Sequence, residues 1–149
     1  MKYAETQIGR IFVIRLEHGD KLPDIVEEFA REKGVSSGCC LFLGGIQDRS
    51  ELVIGPEQDN QLPPVPMHHL LSGTHEVVGV GTLFPDEQGH PRLHGHAAAG
   101  RKESTITGCI RPGILAWTIV EFILLEFAIP CGTRVYDPGT ELKLLQPGT

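Results

Sequence analysis

The sequence predicts an α+β fold, an antiparallel or mixed β-sheet with one or two flanking helices. Residues 9–19 combine β-branched, aromatic and charged side chains in the manner of a strand. Residues 18–34 place apolar side chains at helical spacing after an early proline and end on Gly34, as an amphipathic helix does. From Met67 onward, short apolar segments alternate with turn-forming residues, which favours antiparallel strands joined by short connections.

The segments between and after these elements extend the same interpretation. Residues 38–56 contain two apolar runs split by the polar "QDRS", which indicates a strand pair or one sharply bent strand, and residues 55–66 are rich enough in proline for a surface loop. Further strands are predicted at residues 67–72, 76–84, 92–99, 104–110, 116–127 and 141–146.

Length and composition predict one domain over residues 1–149, with 40% hydrophobic residues. No segment resembles a membrane span or a secretion signal, so we expect a cytoplasmic protein without a membrane partner. The four cysteines form no framework of spaced pairs and are expected to be thiols. A net charge of -6 without a run of Lys or Arg disfavours strong non-specific attraction to nucleic acid. Sequence motifs for dinucleotide binding, phosphate binding and serine hydrolysis are absent.

Residues 116–127, "AWTIVEFILLEF", are apolar at both parities, which predicts a strand buried on both faces. One helix is too small to cover a whole face of the sheet. Another protomer is therefore expected to cover the remainder, and self-association follows as a hypothesis.

The most informative stretch is "LHGHAAAGRKESTITGC", residues 93–109. Side chains two apart on a strand share a face, so His94 and His96 are predicted to project together. A two-residue turn at Arg101-Lys102 would pair His94 with Cys109. Two imidazoles and a thiolate suit zinc and leave a fourth position open for water or substrate. The alternative is two solvated histidines beside a core thiol.

Four other residues are weaker candidates. His68 and His69 are adjacent and face opposite ways on a strand, so at most one of them, or His75, is expected as a further ligand. A turn or surface role is the alternative for each. Glu121 interrupts an apolar strand, where it could orient a ligating histidine or act as a general base, or else be a salt-bridged or interface glutamate.

Taken in order, these segments resemble the plants-and-prokaryotes-conserved (PPC) domain over about residues 9–127. The most specific part is a strand with "GTL", a D-x-x-G turn and then L-H-x-H, within residues 76–96. The resemblance implies an α+β fold that assembles as a homotrimer. In plants this domain follows AT-hook motifs in nuclear DNA-binding proteins, whereas prokaryotic members are usually the domain alone and are described as predicted DNA-binding proteins.

The resemblance also implies a metal, zinc, on the H-x-H pair and a third histidine in a G-G-H motif. His94 and His96 match the pair, while Thr107-Gly108-Cys109 stands where G-G-H would be; cysteine can replace histidine as a zinc ligand. Glu121 matches a glutamate of the following family strand. The AT-hook has no counterpart, which leaves DNA a weakly supported partner.

Together with the resemblance, these observations predict a stand-alone, prokaryotic-type PPC domain protein with zinc on His94, His96 and Cys109; the resemblance implies that it is a trimeric DNA-associated or regulatory assembly module. The alternative is a metal-dependent enzyme acting on a small molecule through water bound to that zinc, with Glu121 as base.

Overall fold

The computed structural model of the chain describes residues 1–148 and contains one helix within that range. The elements in chain order are β1 (Ile8–Glu17), β2 (Lys21–Leu22), α1 (Asp24–Lys33), β3 (Gly38–Ile46), β4 (Glu51–Pro56), β5 (Pro66–Leu70), β6 (His75–Pro85), β7 (Pro91–Arg101), β8 (Ser104–Ile110), β9 (Ile114–Phe127), β10 (Gly132–Asp137) and β11 (Leu142–Pro147). No helix within residues 1–148 has the length and apolar content that a bilayer crossing requires.

Within the described residues 1–148, nine strands form one sheet, in which eight follow the order β1-β9-β3-β6-β7-β8-β4-β5 and the short β2 also pairs with β9. Every strand pair is antiparallel. The predicted α+β class is confirmed, and the structure selects the antiparallel sheet with a single flanking helix. Strands β10 and β11 form a separate hairpin. The sequence prediction assigned β11 to residues 141–146, placed a turn at residues 129–133 and left the rest of β10 unassigned.

Helix α1 covers one face of the sheet because its apolar side chains, including the buried Val26 and Ala30, lie on one side. Asp24 and Glu27 lie in its first turn, where carboxylates interact favourably with the helix dipole. Gly34 ends the helix with φ of 65°, a left-handed conformation that glycine adopts without a side-chain clash.

The core beneath α1 centres on two phenylalanines from neighbouring strands. Phe42 on β3 and Phe122 on β9 stack with ring centroids 5.7 Å apart and an interplanar angle of 9°. The next strand accommodates them with Gly79, where an added Cβ would lie 2.0 Å from Cζ of Phe42. Glycine is therefore required at this point of β6.

The opposite face of the sheet is open to solvent and apolar. Directly paired residues share a face, and the pairings place Val13, Leu41, Val80 and His96 in one row across five strands. The apolar members of this surface, called the open face below, are Ile11, Val13, Leu41, Leu43, Val78 and Val80, each more than half exposed. The sequence predicted that β9 is buried on both faces. Within one chain this is true only of the face toward α1. On the other face, Glu121 is exposed and Ile123 and Leu125 are only partly buried.

The turn between β6 and β7, the D-x-x-G segment of the sequence, is organised by a buried carboxylate. Asp86 accepts hydrogen bonds of 3.0 Å from the backbone N–H groups of Gln88 and His90 and from Nε of Arg92. The guanidinium of Arg92 also contacts Glu27 of α1 at 3.0 Å. This network ties the start of β7, and with it His94, to the helix.

Replacing Asp86 by Asn should lower the free energy of unfolding by about 2 kcal/mol at pH 7, because the variant loses a buried, charge-assisted interaction. Burial alone would raise the pKa of Asp86, but its hydrogen bonds to Arg92, His90 and Gln88 outweigh burial and hold that pKa below its ordinary value. The folded state therefore releases the proton more readily than the unfolded state. The stabilisation is present above about pH 4 and is lost as pH falls through the folded pKa.

Urea unfolding at pH 7 and pH 3 tests this expectation. The other charged groups near Asp86, the imidazole of His90 and the ammonium of Lys143 at 3.8 Å, are the same in both proteins and largely cancel in the comparison. Glu87→Gln, an exposed position in the same turn, is the control and should change little. If the free energies of unfolding of wild type and Asp86→Asn differ by the same amount at pH 7 and pH 3, the prediction is contradicted.

Candidate metal site

The two histidines of β7 project from the open side of the sheet, as strand alternation predicts. Leu93, Gly95 and Ala97 are buried, whereas His94 and His96 are exposed. The imidazole rings lie with centroids 5.2 Å apart and planes at 76°. The strand thus presents two nitrogen donors to the same region.

Cys109 reaches this region from β8, but in a different register from the predicted one. It pairs with His96, not with His94, because Arg101 pairs with Ser104 and the intervening turn consists of residues 102–103. The predicted turn at Arg101-Lys102 was wrong by one position. A turn displaced by one residue moves the pairing by two, and two is the side-chain period of a strand, so Cys109 keeps the predicted face.

The three donors form a compact cluster. One ligand atom from each of His94, His96 and Cys109 lies within 4.8 Å of the other two. Donors on one tetrahedral zinc ion are about 3.3 to 3.8 Å apart, given bonds of about 2.0 to 2.3 Å. Side-chain rotations that move the donors by about 1 Å would close the site, so this donor set fits zinc in chemistry and in reach.

Two arginines influence the protonation of the cluster. Partial burial of its imidazole lowers the pKa of His94, and the nearby charges of Arg134, His96 and Arg111 lower it further. Burial also raises the pKa of the Cys109 thiol, and the same two arginines partly oppose that rise. His94 therefore favours the neutral imidazole that metals bind, whereas Cys109 must lose a proton to become a ligand.

The weaker histidine candidates lie elsewhere. His68 contacts a carboxylate oxygen of Glu51, and Nδ1 of His75 lies 2.8 Å from the carbonyl oxygen of Gly73. Among residues 1–148, no fourth histidine, cysteine or carboxylate joins the cluster.

Glu121 shares the open side of the sheet with the histidines but not their neighbourhood. It is exposed on β9 and pairs with Arg15 and Leu43, and strands β3 and β6 lie between β9 and β7. Three interstrand spacings amount to about 14 Å, which is beyond hydrogen-bond reach of either imidazole. A single chain therefore does not bring Glu121 to the cluster.

A groove that the sequence did not indicate adjoins the cluster at His94. Its volume is about 660 Å³. It runs between the start of α1, the beginning of β7, the end of β8 and the β10–β11 hairpin, and its lining includes Glu27, Leu93, His94, Arg111, Arg134 and Lys143. Arg111 was not singled out from the sequence, although its place two residues after the candidate ligand Cys109 could have suggested it. Arg134 gave no such signal, because β10 was not predicted.

Comparison with known proteins places this architecture among characterised folds. The sequence matches the Plants and Prokaryotes Conserved (PCC) domain family over residues 3–128. A metal-containing protein from Archaeoglobus fulgidus has the same fold, with a TM-score of 0.84 and 21% identity, and the match covers 98% of this chain and 99% of that one. A plant- and prokaryote-conserved protein from Pyrococcus horikoshii follows with a TM-score of 0.82, 18% identity and coverage of 100% and 99%.

A presumed DNA-binding protein from Bacteroides thetaiotaomicron has a TM-score of 0.77 and 19% identity, and the match covers 98% of both chains. At these identities the structural likeness establishes the fold. Among curated sequences, the bifunctional protein GlmU from Synechococcus is 29% identical over 133 residues, which is 88% of this chain. The chain spans about a fifth of the length of that relative, 19%.

Proposed function

Because the chain belongs to the Plants and Prokaryotes Conserved domain family, we propose that it is a self-assembling regulatory module that binds zinc through His94, His96 and Cys109. The observation that supports this function best is the convergence of three soft donors from two strands. Bound zinc would act as a Lewis acid with an open coordination position. The chain's own part is to present two imidazoles and one buried thiol beside the groove.

Self-association is proposed from the open face. Its six apolar side chains lie on β1, β3 and β6, and the partly buried Ile123 and Leu125 of β9 fill the space between β1 and β3. Such a surface commonly marks an interface between proteins. The family's trimeric arrangement would cover it with two further copies. Glu121 does not reach the metal-ligand cluster of its own chain. In an assembly, it could approach the histidines of a neighbouring subunit and supply a carboxylate there.

DNA association is proposed as a secondary property. Solved neighbours presumed to bind DNA suggest it, but the net charge of -6 opposes close approach to phosphates. We expect any duplex binding by the isolated protein to be weak and to fall steeply with salt. Regulation would then depend on a protein partner held by the assembly.

A second candidate function is a metal-dependent enzyme acting on a small molecule. The groove favours it, since about 660 Å³ is the size of an ordinary ligand site and His94 forms part of its wall. Glu121 is proposed as the general base, delivered by another subunit. Zinc-dependent turnover that is lost in Glu121→Gln, together with no shift of DNA mobility, would favour the enzyme over the assembly module.

Elemental analysis tests the zinc site. After dialysis against a weak chelator, the wild-type chain should retain about one zinc ion, while His96→Ala and Cys109→Ala should bind zinc about 100-fold or more weakly, because each loses one of only three ligands. His90→Ala, an exposed histidine outside the cluster, is the matched control and should retain the ion. Equal zinc content in all four proteins would disprove the site.

A further inference from the structure

Two arginines in the groove lack the carboxylate partners that neutralise its other cations. Arg92 pairs with Glu27 and Asp86, and Lys143 lies 3.8 Å from Asp86. By contrast, neither Arg111 nor Arg134 forms a salt bridge with any of residues 1–148, and the charge of Glu27 acts on Arg134 only from beyond salt-bridge distance. Both line the groove, as does His94.

Arg134 is held rigidly in the wall. Its side chain comes from the β10–β11 hairpin, is only 7% exposed, and donates from Nη2 to the carbonyl oxygen and to Oγ1 of Thr82, at 3.3 and 3.0 Å. The guanidinium carbon lies 5.8 Å from the centre of the Phe84 ring. Packing and two hydrogen bonds thus fix the planar group in one orientation.

The hydrogen-bonding capacity of this guanidinium is not satisfied by the protein. Nε of Arg134 is buried without a partner among the described residues, and Nη1 likewise has no acceptor there. A buried arginine with unused donors is costly unless a ligand supplies the acceptors. Arg111 is exposed in the same groove, free to close over such a ligand.

We propose that the groove binds a small anionic molecule whose carboxylate or phosphate group pairs with Arg134 and Arg111 and whose other end points toward the donors at His94. Planar guanidinium groups suit both kinds of oxyanion, because they offer parallel N–H donors. The size of the groove admits a metabolite-sized anion. The proposed anion site adds a ligand to the proposed function. It rests on that function only in placing the second end of the ligand near the zinc donors.

Calorimetric titration of the zinc-loaded full chain with inorganic phosphate and with malonate, at constant ionic strength, tests the proposal. We expect saturable binding of at least one probe to one site per chain, and the probe that binds identifies the oxyanion. Arg111→Gln should weaken binding about tenfold or more, since one charge-assisted contact is lost. Arg134→Gln should do the same.

Arg31→Gln is the matched control, because Arg31 is an exposed arginine of α1 outside the groove lining and its replacement changes the net charge equally. It should alter affinity by less than about twofold. If Arg134→Gln fails to fold, the exposed Arg111 position carries the test alone.

Four results would overturn the proposal: no saturable binding of either probe, equal weakening by Arg31→Gln, unchanged affinity in Arg111→Gln, or a site filled by short duplex DNA but by neither probe. The zinc-free His96→Ala variant separates this proposal from the metal site. If His96→Ala still binds the anion, the arginine pair is the binding site irrespective of zinc. If His96→Ala no longer binds the anion while Arg111→Gln still does, the anion binds to the metal and the arginines are excluded as its site.

Discussion

Val80→Glu should convert the assembled protein into single chains. Val80 is 56% exposed on β6, where the open face borders the histidines of β7, and it pairs with Leu41 on one side and His96 on the other. In an assembly that covers this face, the substitution buries a carboxylate in a contact that is apolar except for His96 on the neighbouring strand. A penalty of about 4 kcal/mol per contact lowers the association constant roughly a thousandfold, which is enough to dissociate a micromolar assembly.

Light scattering coupled to size-exclusion chromatography measures the outcome. The wild type is expected at three times the mass of the chain, and Val80→Glu at the mass of one chain. Val65→Glu, at a 40% exposed valine in the loop between β4 and β5, is the control and should remain assembled. Wild-type protein that runs as a single chain, or a Val80→Glu variant with unchanged mass, would refute self-association through the open face.

The convergence of the three donors was accessible from sequence because it depends on strand periodicity. Alternation places His94 and His96 on one face whatever the rest of the fold does. Whether the turn has an even or an odd number of residues then decides the face on which Cys109 lies. The predicted number was even, as observed, so the predicted face was correct although the turn was misplaced by one residue. The exact register was not accessible, because it depends on which residue adopts the left-handed conformation, and Lys102, with φ of 55°, does so without a glycine or asparagine to signal it.

The groove was not predictable for a different reason. Arg134 lies on a two-stranded hairpin outside the main sheet, and the contact between β10 and β6 that brings it to Thr82 joins residues 52 positions apart in sequence. Local pattern carries no information about such a contact. The same limit applies to Glu121, whose unusual position in an apolar strand was evident while its distance from the histidines depended on the order of the strands.

Both faces of β9 carry apolar side chains, but a single chain covers only one of them. One parity, with Val120, Phe122 and Leu124, packs fully against the α1 side. The other parity continues the open face. The sequence therefore indicated two contacts for this strand, of which one chain supplies only the first.

Phe122→Ala should remove a large part of the stability of the fold, by about 3 to 5 kcal/mol. The Phe122 side chain is fully buried at 0% exposure and stacks on Phe42, so truncation leaves a cavity that the two adjoining strands cannot fill without breaking their pairing. The free energy of unfolding of a small domain is only about 5 to 15 kcal/mol. The variant is thus expected to unfold at much lower urea concentration.

Phe127→Ala is the matched control on the same strand, because Phe127 is partly exposed and packs at a tilt, 6.1 Å from Phe84. It should cost less than half as much, since solvent can occupy the space that the ring leaves. Urea unfolding is best compared in the Val80→Glu background, where stability does not depend on protein concentration. Equal losses in the two variants would mean that the Phe42–Phe122 stack is not the centre of the core, and that the helix-covered face owes its stability to packing elsewhere.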